Sequence, residues 1–412
     1  MNIKSLNRKL NKKFAGRVTA RLSDGCIVLT GELDDWNDVV DAGMTAATPH
    51  SSTHVVNDIV FTGAAEEKMH MPAINDKALD GEKPDVLVIG GGISGCSVAR
   101  ELSRYKLSVL LIDKEADLAL GASGRNDGEV HPGVDLSKGS LKHKYIRRAN
   151  HMYEDLCREL DVPFKRTGQY ACFTHKSWLP FVSLYAKWRR DHDGIEDTCI
   201  VMGDEIRKKE PKISADVAFA LSNPSSGSVS PYNLVIAYAE NAVQNGARVS
   251  LNTAVTGMDV SGGEIKAVYT NRGTIYPREV INCAGVYSDV VAQMAQDRFF
   301  SIHPRRGTNS ILDKKTGASF HGIASIVMSQ SPVQTHTKGG GILHTMHDNL
   351  LIGPDAVETP ERENTATNAE SIARVFTKQR ITMPTLTEKD IITYFTGVRA
   401  PTYEEDFIIE PG

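Results

Sequence analysis

Val86-Leu87-Val88-Ile89-Gly90-Gly91-Gly92-Ile93-Ser94-Gly95 is the stretch whose reading decides the fold. Four aliphatic residues in a row read as a strand buried on both faces. They run into Gly90-x-Gly92-x-x-Gly95, and then into Val98 to Leu102, which reads as a helix. Strand, glycine turn and helix are the context that a dinucleotide-binding fingerprint requires. Gly90 suits the tight turn, Gly92 the approach of backbone to a pyrophosphate, and Gly95 close packing of helix on strand. The helix N-terminus then turns its free N–H groups and positive dipole end towards the anion. With 34 glycines in 412 residues a lone match carries little weight, so the reading depends on the residues downstream of Gly95.

Ser108 to Asp113 reads as the second parallel strand. Asp113 ends it about 20 residues past the glycines, where an acid can accept from ribose hydroxyls; a strand-end turn residue is the other reading, and Glu115 is the alternative acid. Gly121-Ala122-Ser123-Gly124-Arg125-Asn126-Asp127-Gly128 is a loop of small residues with one cation, suited to phosphate. Ser140 to Leu160 reads as a long helix with Leu141, Tyr145, Met152, Leu156 and Leu160 on its apolar stripe. Residues 164–228 change character, with a strand at 168–173 and a helix through 178–190. Further elements are a helix over 232–245, a strand at 248–251, a hairpin around Asn271-Arg272-Gly273, and a buried strand at 280–283 that ends in Ala284-Gly285.

Upstream, residues 17–61 form a small unit of two strands, a helix and a third strand. Its "dG-x-V-x-L-x-G … V-V-N-D-I" pattern resembles the BON domain, a module associated with phospholipid or partner contacts; a small cap packed on the main body is the other reading. Met1 to Gly16 carries Lys4, Arg8, Lys9, Lys12 and Lys13 without an apolar core. It reads either as a solvated basic helix or tail, or as a weak contact with anionic lipid. Residues 62–84 read as a polar linker. Net charge is −4, which gives no reason to expect nucleic-acid binding, and no apolar stretch approaches the roughly 20 residues that a transmembrane helix needs. Six scattered cysteines without a C-x-x-C pair fit a reducing cytosol, with peripheral contact at the inner face of the membrane left open. His344 and His347 lack an evident third ligand, so no metal is expected.

The order of these motifs over residues 85–412 resembles the FAD-dependent oxidoreductases of the D-amino-acid-oxidase superfamily. Within it, "GASGRNDGEVHPGVDLSKGSLKHKY" and "LLIGPDAVETPERE" are most similar to the anaerobic glycerol-3-phosphate dehydrogenase and the L-2-hydroxyglutarate dehydrogenase/oxidase families. The resemblance implies an α/β chain: a Rossmann-like FAD-binding domain, discontinuous over 85–163 and 229–300, and an α+β substrate domain over 164–228 and 301–395. Residues 396–412 begin a returning FAD-domain segment. Gly90, Gly92 and Gly95 are expected at the FAD pyrophosphate, Asp113 and Lys114 at the ribose, and Ser123, Arg125 and Asn126 along the pyrophosphate towards the flavin. Val255 is expected at adenine through its backbone, with Ala284 and Gly285 flanking the nucleotide. Arg399 matches an arginine that anchors an anionic substrate, and His131 is placed to take a hydroxyl proton, or else is structural.

Two departures qualify the resemblance. Arg306-Gly307 is followed by Thr308-Asn309-Ser310 where the families commonly carry Glu-Tyr. The family pattern also continues past the position of Gly412 with a strand, a glycine turn and a helix over the flavin ring. The expected activity is oxidation of a small anionic alcohol, sn-glycerol 3-phosphate first, with electrons passing to a quinone or carrier partner. An L-2-hydroxyglutarate oxidoreductase, with Arg305 or Arg306 as second cation, is the alternative; an amine or amino-acid oxidase is weaker. A non-catalytic flavoprotein needing a partner is the alternative of another class. Plain NAD binding fits residues 86–95 but not the split domain.

Overall fold

The computed structural model describes the chain except residues 1, 52, 65–67 and 328–339, so parts of the expected linker and of the 301–395 stretch lie outside the described residues. At the N-terminus α1 (Ile3–Lys13), β1 (Val18–Ser23), β2 (Cys26–Leu33), α2 (Trp36–Ala46) and β3 (Val55–Phe61) form a three-stranded sheet, order β1-β2-β3, under two helices. β1 and β2 are antiparallel and β2 and β3 parallel, which the α2 crossover requires. The basic segment is no tail. Leu6 and Leu10 of α1 and Phe14 beyond it are buried in the same core as Val18 and Leu29, while the lysines stay on the wet face. An i, i+4 apolar pair in a lysine-rich run was enough to make a one-sided helix.

The expected linker is tied down over its second half. Leu79 is buried, Asp76 pairs with Arg272 at 3.0 Å, and Glu82 pairs with Arg248. Next come β4 (Val86–Ile89), α3 (Ile93–Leu102) and β5 (Val109–Ile112). From Glu129 the chain leaves this layer through β6 (Glu129–Val130), α4 (Leu141–Glu159), β7 (Phe164–Lys165), β8 (Gln169–Phe173), α5 (Leu179–Asp193), β9 (Cys199–Met202), α6 (Gly203–Lys209), β10 (Phe219–Asn223) and β11 (Gly227–Val229). The α4 stripe differs from the sequence reading: His143, Asn150 and Cys157 face inward, and Met152 is half exposed. Asn150 explains the choice, since its Nδ2 donates to the carbonyls of His131 and Ser225 and its Oδ1 accepts from Arg166. A heptad of small and polar groups fits where backbone carbonyls have to be satisfied.

The chain re-enters the first layer through α7 (Pro231–Gln244), β12 (Arg248–Ser250), β13 (Val255–Ser261), β14 (Glu264–Thr270), β15 (Gly273–Ile275), β16 (Glu279–Asn282) and α8 (Ser288–Met294). β12-β5-β4-β16 is an all-parallel sheet. All residues of β4 and β5 are buried, as parallel strands covered on both faces must be. Cys96 and Ala99 of α3 with Val235 and Ala239 of α7 cover one face; Val255, Val268 and Ile275 of the β13-β14-β15 sheet and Val291 of α8 cover the other.

The last stretch holds β17 (Arg305–Leu312), α9 (Lys314–Gly317), β18 (Ile323–Ile326), β19 (Gly341–His344), β20 (Leu350–Gly353), β21 (Val357–Glu358), α10 (Ala369–Gln379) and β22 (Ile391–Arg399). These strands join β8, β9 and β10 in one sheet, order β21-β17-β20-β19-β18-β8-β10-β9, with β22 also on β17. β22 runs on through Arg399, past the expected end of this layer at 395. No helix among the described residues is long and apolar enough to cross a membrane.

Leu10→Ala tests the role of α1. Leu10 is fully buried, so the substitution should lower stability by about 2–5 kcal/mol, read by chemical denaturation. A change within about 0.5 kcal/mol is what a solvated tail would show.

Candidate functional site

The glycine turn sits at the carboxyl ends of β4, β5 and β16, where strand order reverses on either side of β4. Ligands of open α/β sheets bind at such a switch point. Gly90 has φ +111°, and a Cβ there would lie 2.3 Å from the Cys283 carbonyl oxygen. A Cβ on Gly95 would lie 1.9 Å from the Gly90 carbonyl oxygen, so the first turn of α3 closes on the strand only because both are glycine. Gly92 is the N-cap of α3 and offers no capping side chain; the Ile93 N–H donates to Ser123 Oγ at 2.9 Å. A Cβ on Gly92 would approach the same Ser123 Oγ to 2.9 Å. Two close approaches to backbone carbonyls, and a helix N-terminus whose cap residue has no side chain and which Ser123 faces, form a cradle that fits a pyrophosphate.

Asp113 faces this turn from the end of β5. Its Oδ2 accepts from the Gly91 N–H at 2.5 Å and its Oδ1 from the Glu115 N–H at 2.8 Å. Burial raises its pKa, against the pull of these two N–H donors. The acid read from the sequence as a ribose ligand therefore also shapes the turn. Gly91, an unspecified position of the fingerprint, is the missed residue: a Cβ there would meet Leu118 Cδ2 at 2.4 Å. Lys114 is held by Glu115 and by Glu363 at 2.7 Å, and its Nζ lies 5.8 Å from the centre of the Tyr287 ring. Val255 opens β13 opposite Thr270, and the loop before it returns to the acid through the Thr253 N–H, which donates to the Asp113 carbonyl. Ala284 and Gly285 follow β16, with Gly285 at φ +57° and the Ala284 backbone against Gly90.

The Ser123-Arg125-Asn126 loop is self-braced. Asn126 Nδ2 donates to the Ser123 carbonyl at 2.7 Å and its Oδ1 accepts from the Gly128 N–H at 2.8 Å, while Arg125 Nε donates to the Leu120 carbonyl. Gly397 of β22 lands on this loop: a Cβ there would lie 2.6 Å from the Arg125 carbonyl oxygen. The two layers thus meet at the loop, and Arg399 stands two residues further along β22. Among the described residues its guanidinium bonds through Nη2, to the carbonyls of Asp355 at 2.5 Å and Arg306 at 3.2 Å. Gly307 makes room for it, since a Cβ there would lie 2.7 Å from Nη2. Burial, and then the charge of Arg305, lower the Arg399 pKa. His131 follows β6, exposed, with Nδ1 3.3 Å from Glu129 Oε1. His344 is buried and stacked near His321, with ring centres 5.9 Å apart. Gly307, Asp355 and Gly397 were not legible as site residues: Gly307 and Gly397 face each other only through the pairing of β17 with β22, and Asp355 is held to β17 by the Thr308 N–H, which donates to its Oδ1.

The family model for FAD dependent oxidoreductases (DAO) matches residues 85–412. A glycerol 3-phosphate dehydrogenase of Caloramator mitchellensis is 36% identical over 79% of the chain, which spans 66% of that relative's length. A glycerol 3-phosphate oxidase of Mycoplasma genitalium is 28% identical over 79% of the chain and 85% of the relative. An L-2-hydroxyglutarate dehydrogenase of Indibacter alkaliphilus is 33% identical over 54% of the chain and 56% of the relative. Among solved structures, the dithionite-reduced, FAD-bound L-alpha-glycerophosphate oxidase of Mycoplasma pneumoniae superposes with a TM-score of 0.72 at 25% identity, covering 80% of this chain and 86% of that one.

Gly95→Ala should push α3 off the turn and weaken FAD retention about tenfold or more, the scale of an overpacking cost of about 1–3 kcal/mol. The visible flavin absorbance per chain after dialysis reads the effect, and Gly322→Ala, where a Cβ meets no atom nearer than 3.5 Å, serves as the control.

Proposed function

The chain belongs to the FAD dependent oxidoreductase family, and on that footing we propose that it oxidises a small anionic alcohol, sn-glycerol 3-phosphate to dihydroxyacetone phosphate, passing the electrons to a quinone or an electron carrier. Arg399 is the observation that carries the substrate class. It is a cation set in a partly desolvated place beside a second cation, held by carbonyl oxygens through Nη2, with Nε and Nη1 to meet an anion. Such a group favours a charge-assisted bond to phosphate or carboxylate.

The cradle of Gly90, Gly92, Gly95 and Ser123 would hold the pyrophosphate, with Asp113, Lys114, Val255, Ala284 and Gly285 around the nucleotide and Arg125 and Asn126 towards the flavin. Bound FAD supplies the acceptor for the hydride that leaves the alcohol carbon. His131 takes the hydroxyl proton as the carbonyl forms. Glu129 beside Nδ1 favours the tautomer protonated there, which makes Nε2 the basic nitrogen. Arg399 fixes the phosphate end and so the alcohol's position.

L-2-hydroxyglutarate is the second reading. Its second carboxylate asks for a second cation, and Arg305 is taken up by Glu358, whereas Arg306, with Nη2 on the Ala366 carbonyl, keeps donors for an anion as Arg399 does.

Purified chain reconstituted with FAD should bleach a redox dye with sn-glycerol 3-phosphate. Dye reduction by L-2-hydroxyglutarate alone overturns the substrate, and a colourless chain that cannot be reconstituted overturns catalysis by this chain. Arg399→Ala should raise KM for sn-glycerol 3-phosphate about 10- to 100-fold with flavin content unchanged, as loss of a charged hydrogen-bond partner predicts.

A further inference from the structure

We propose that the N-terminal module, residues 3–61, acts as a clamp on the strand that carries Arg399, and that Tyr403 is the positioning residue through which it acts; the link to substrate rests on Arg399 being the anion anchor. Tyr403 lies four residues beyond Arg399, yet its ring belongs to the core of the module. It is 2% exposed among Leu29, Val39, Val40 and Val55. Gly43 of α2 admits it, since a Cβ there would meet ring atoms at 2.1, 2.4 and 2.5 Å. The Tyr403 hydroxyl accepts from Asn57 Nδ2 at 2.8 Å. The next residue locks the insertion: Glu404 is buried, and its Oε1 accepts from the Val55 N–H at 2.7 Å.

Tyr403 also reaches back to the anchor. Its ring stacks on His303 with centres 4.7 Å apart and planes 17° apart. His303 Nδ1 lies 3.0 Å from Glu358 Oε2, and the other oxygen of Glu358 accepts from Arg305 Nε. Burial works against the Glu358 charge, but His303 and Arg305 more than offset it and hold its pKa below the usual carboxylate range. Arg305 is the cross-strand partner of Arg399. The backbone runs alongside, with the His303 N–H donating to the Pro401 carbonyl and Ile302 bridged to Thr402. The module therefore lacks part of its own core without the segment that leaves β22, and that segment is fixed at its far end by the module. A simple cap would need only surface contact; an inserted aromatic with a buried acid beside it transmits the position of the module to the strand.

The test uses the full chain with FAD. Gly43→Ala forbids the present seat of the ring, and Tyr403→Ala removes the ring without touching the module backbone. Hydrogen–deuterium exchange should rise roughly tenfold or more over 391–406 in both variants, with 86–112 and the flavin content unchanged. KM for sn-glycerol 3-phosphate should rise several-fold while that of Lys208→Ala, on the exposed face of α6, does not. Unchanged exchange over 391–399 in both variants overturns the clamp, whatever the kinetics. Raised exchange with an unchanged KM supports the clamp and overturns instead the reading of Arg399 as the anchor. If Gly43→Ala unfolds residues 18–61, protection of 391–399 still decides: its loss supports the clamp and its persistence overturns it.

Discussion

The Gly91 N–H donates to Asp113 Oδ2 across 2.5 Å at the ends of two adjacent parallel strands. On this contact the turn between β4 and α3 depends. A carboxylate in a place that burial makes unfavourable for charge is kept there by two backbone donors, and those donors are thereby held in place. The glycines around it then have no room to be anything else. Gly90 closes on Cys283 and Gly95 on Gly90 itself, with a Cβ at either position within 2.3 Å of a carbonyl oxygen, so a side chain there would open the turn. The fingerprint describes the consequences of this geometry, and the buried acid supplies part of its cause.

The second constraint is the meeting of two layers at a single glycine. Gly397 touches the Arg125 backbone, and from there β22 carries Arg399 to the carbonyls of Arg306 and Asp355. A sheet built from β8–β10 and β17–β22 thus delivers a cation to the edge of a separate parallel sheet. The parallel sheet lends itself to binding a long cofactor, and the mixed sheet sets what can be held next to it. On the proposed reading, binding of an anionic head group and of the nucleotide would rest on different sets of strands.

The N-terminal module adds a third body whose core is completed by Tyr403 from the opposite end of the chain. Residues 3–61 and 403–404 fold as one apolar unit, and Asn57 shows how closely the two are matched: its side chain bonds both the Val39 carbonyl and the Tyr403 hydroxyl. Val55 and Glu404, 349 residues apart, thereby become neighbours beside the segment that leaves β22.

Local pattern was enough for whatever depends on neighbours in sequence. The run Val86–Ile89 with three glycines announced a buried strand, a tight turn and a helix, because these arise from side-chain size and backbone freedom within ten residues. The small module, the helix at 231–244 and the order of motifs were legible for the same reason. The α4 stripe was misread, because Asn150 is buried to satisfy carbonyls from distant segments, and apolar periodicity says nothing about that demand. Asp113 was found but half understood, since its bond to Gly91 exists only once β4 and β5 lie side by side. Gly307 and Gly397 took their meaning from strand register, Asp355 from its bond to the Thr308 N–H, and Tyr403 from a core assembled out of both ends of the chain. The sequence by itself thus determined the strand, glycine turn and helix at 86–102 and the family of the chain. Tertiary structure alone decided what surrounds Arg399 and what holds it, because those contacts are made between residues that no local spacing relates.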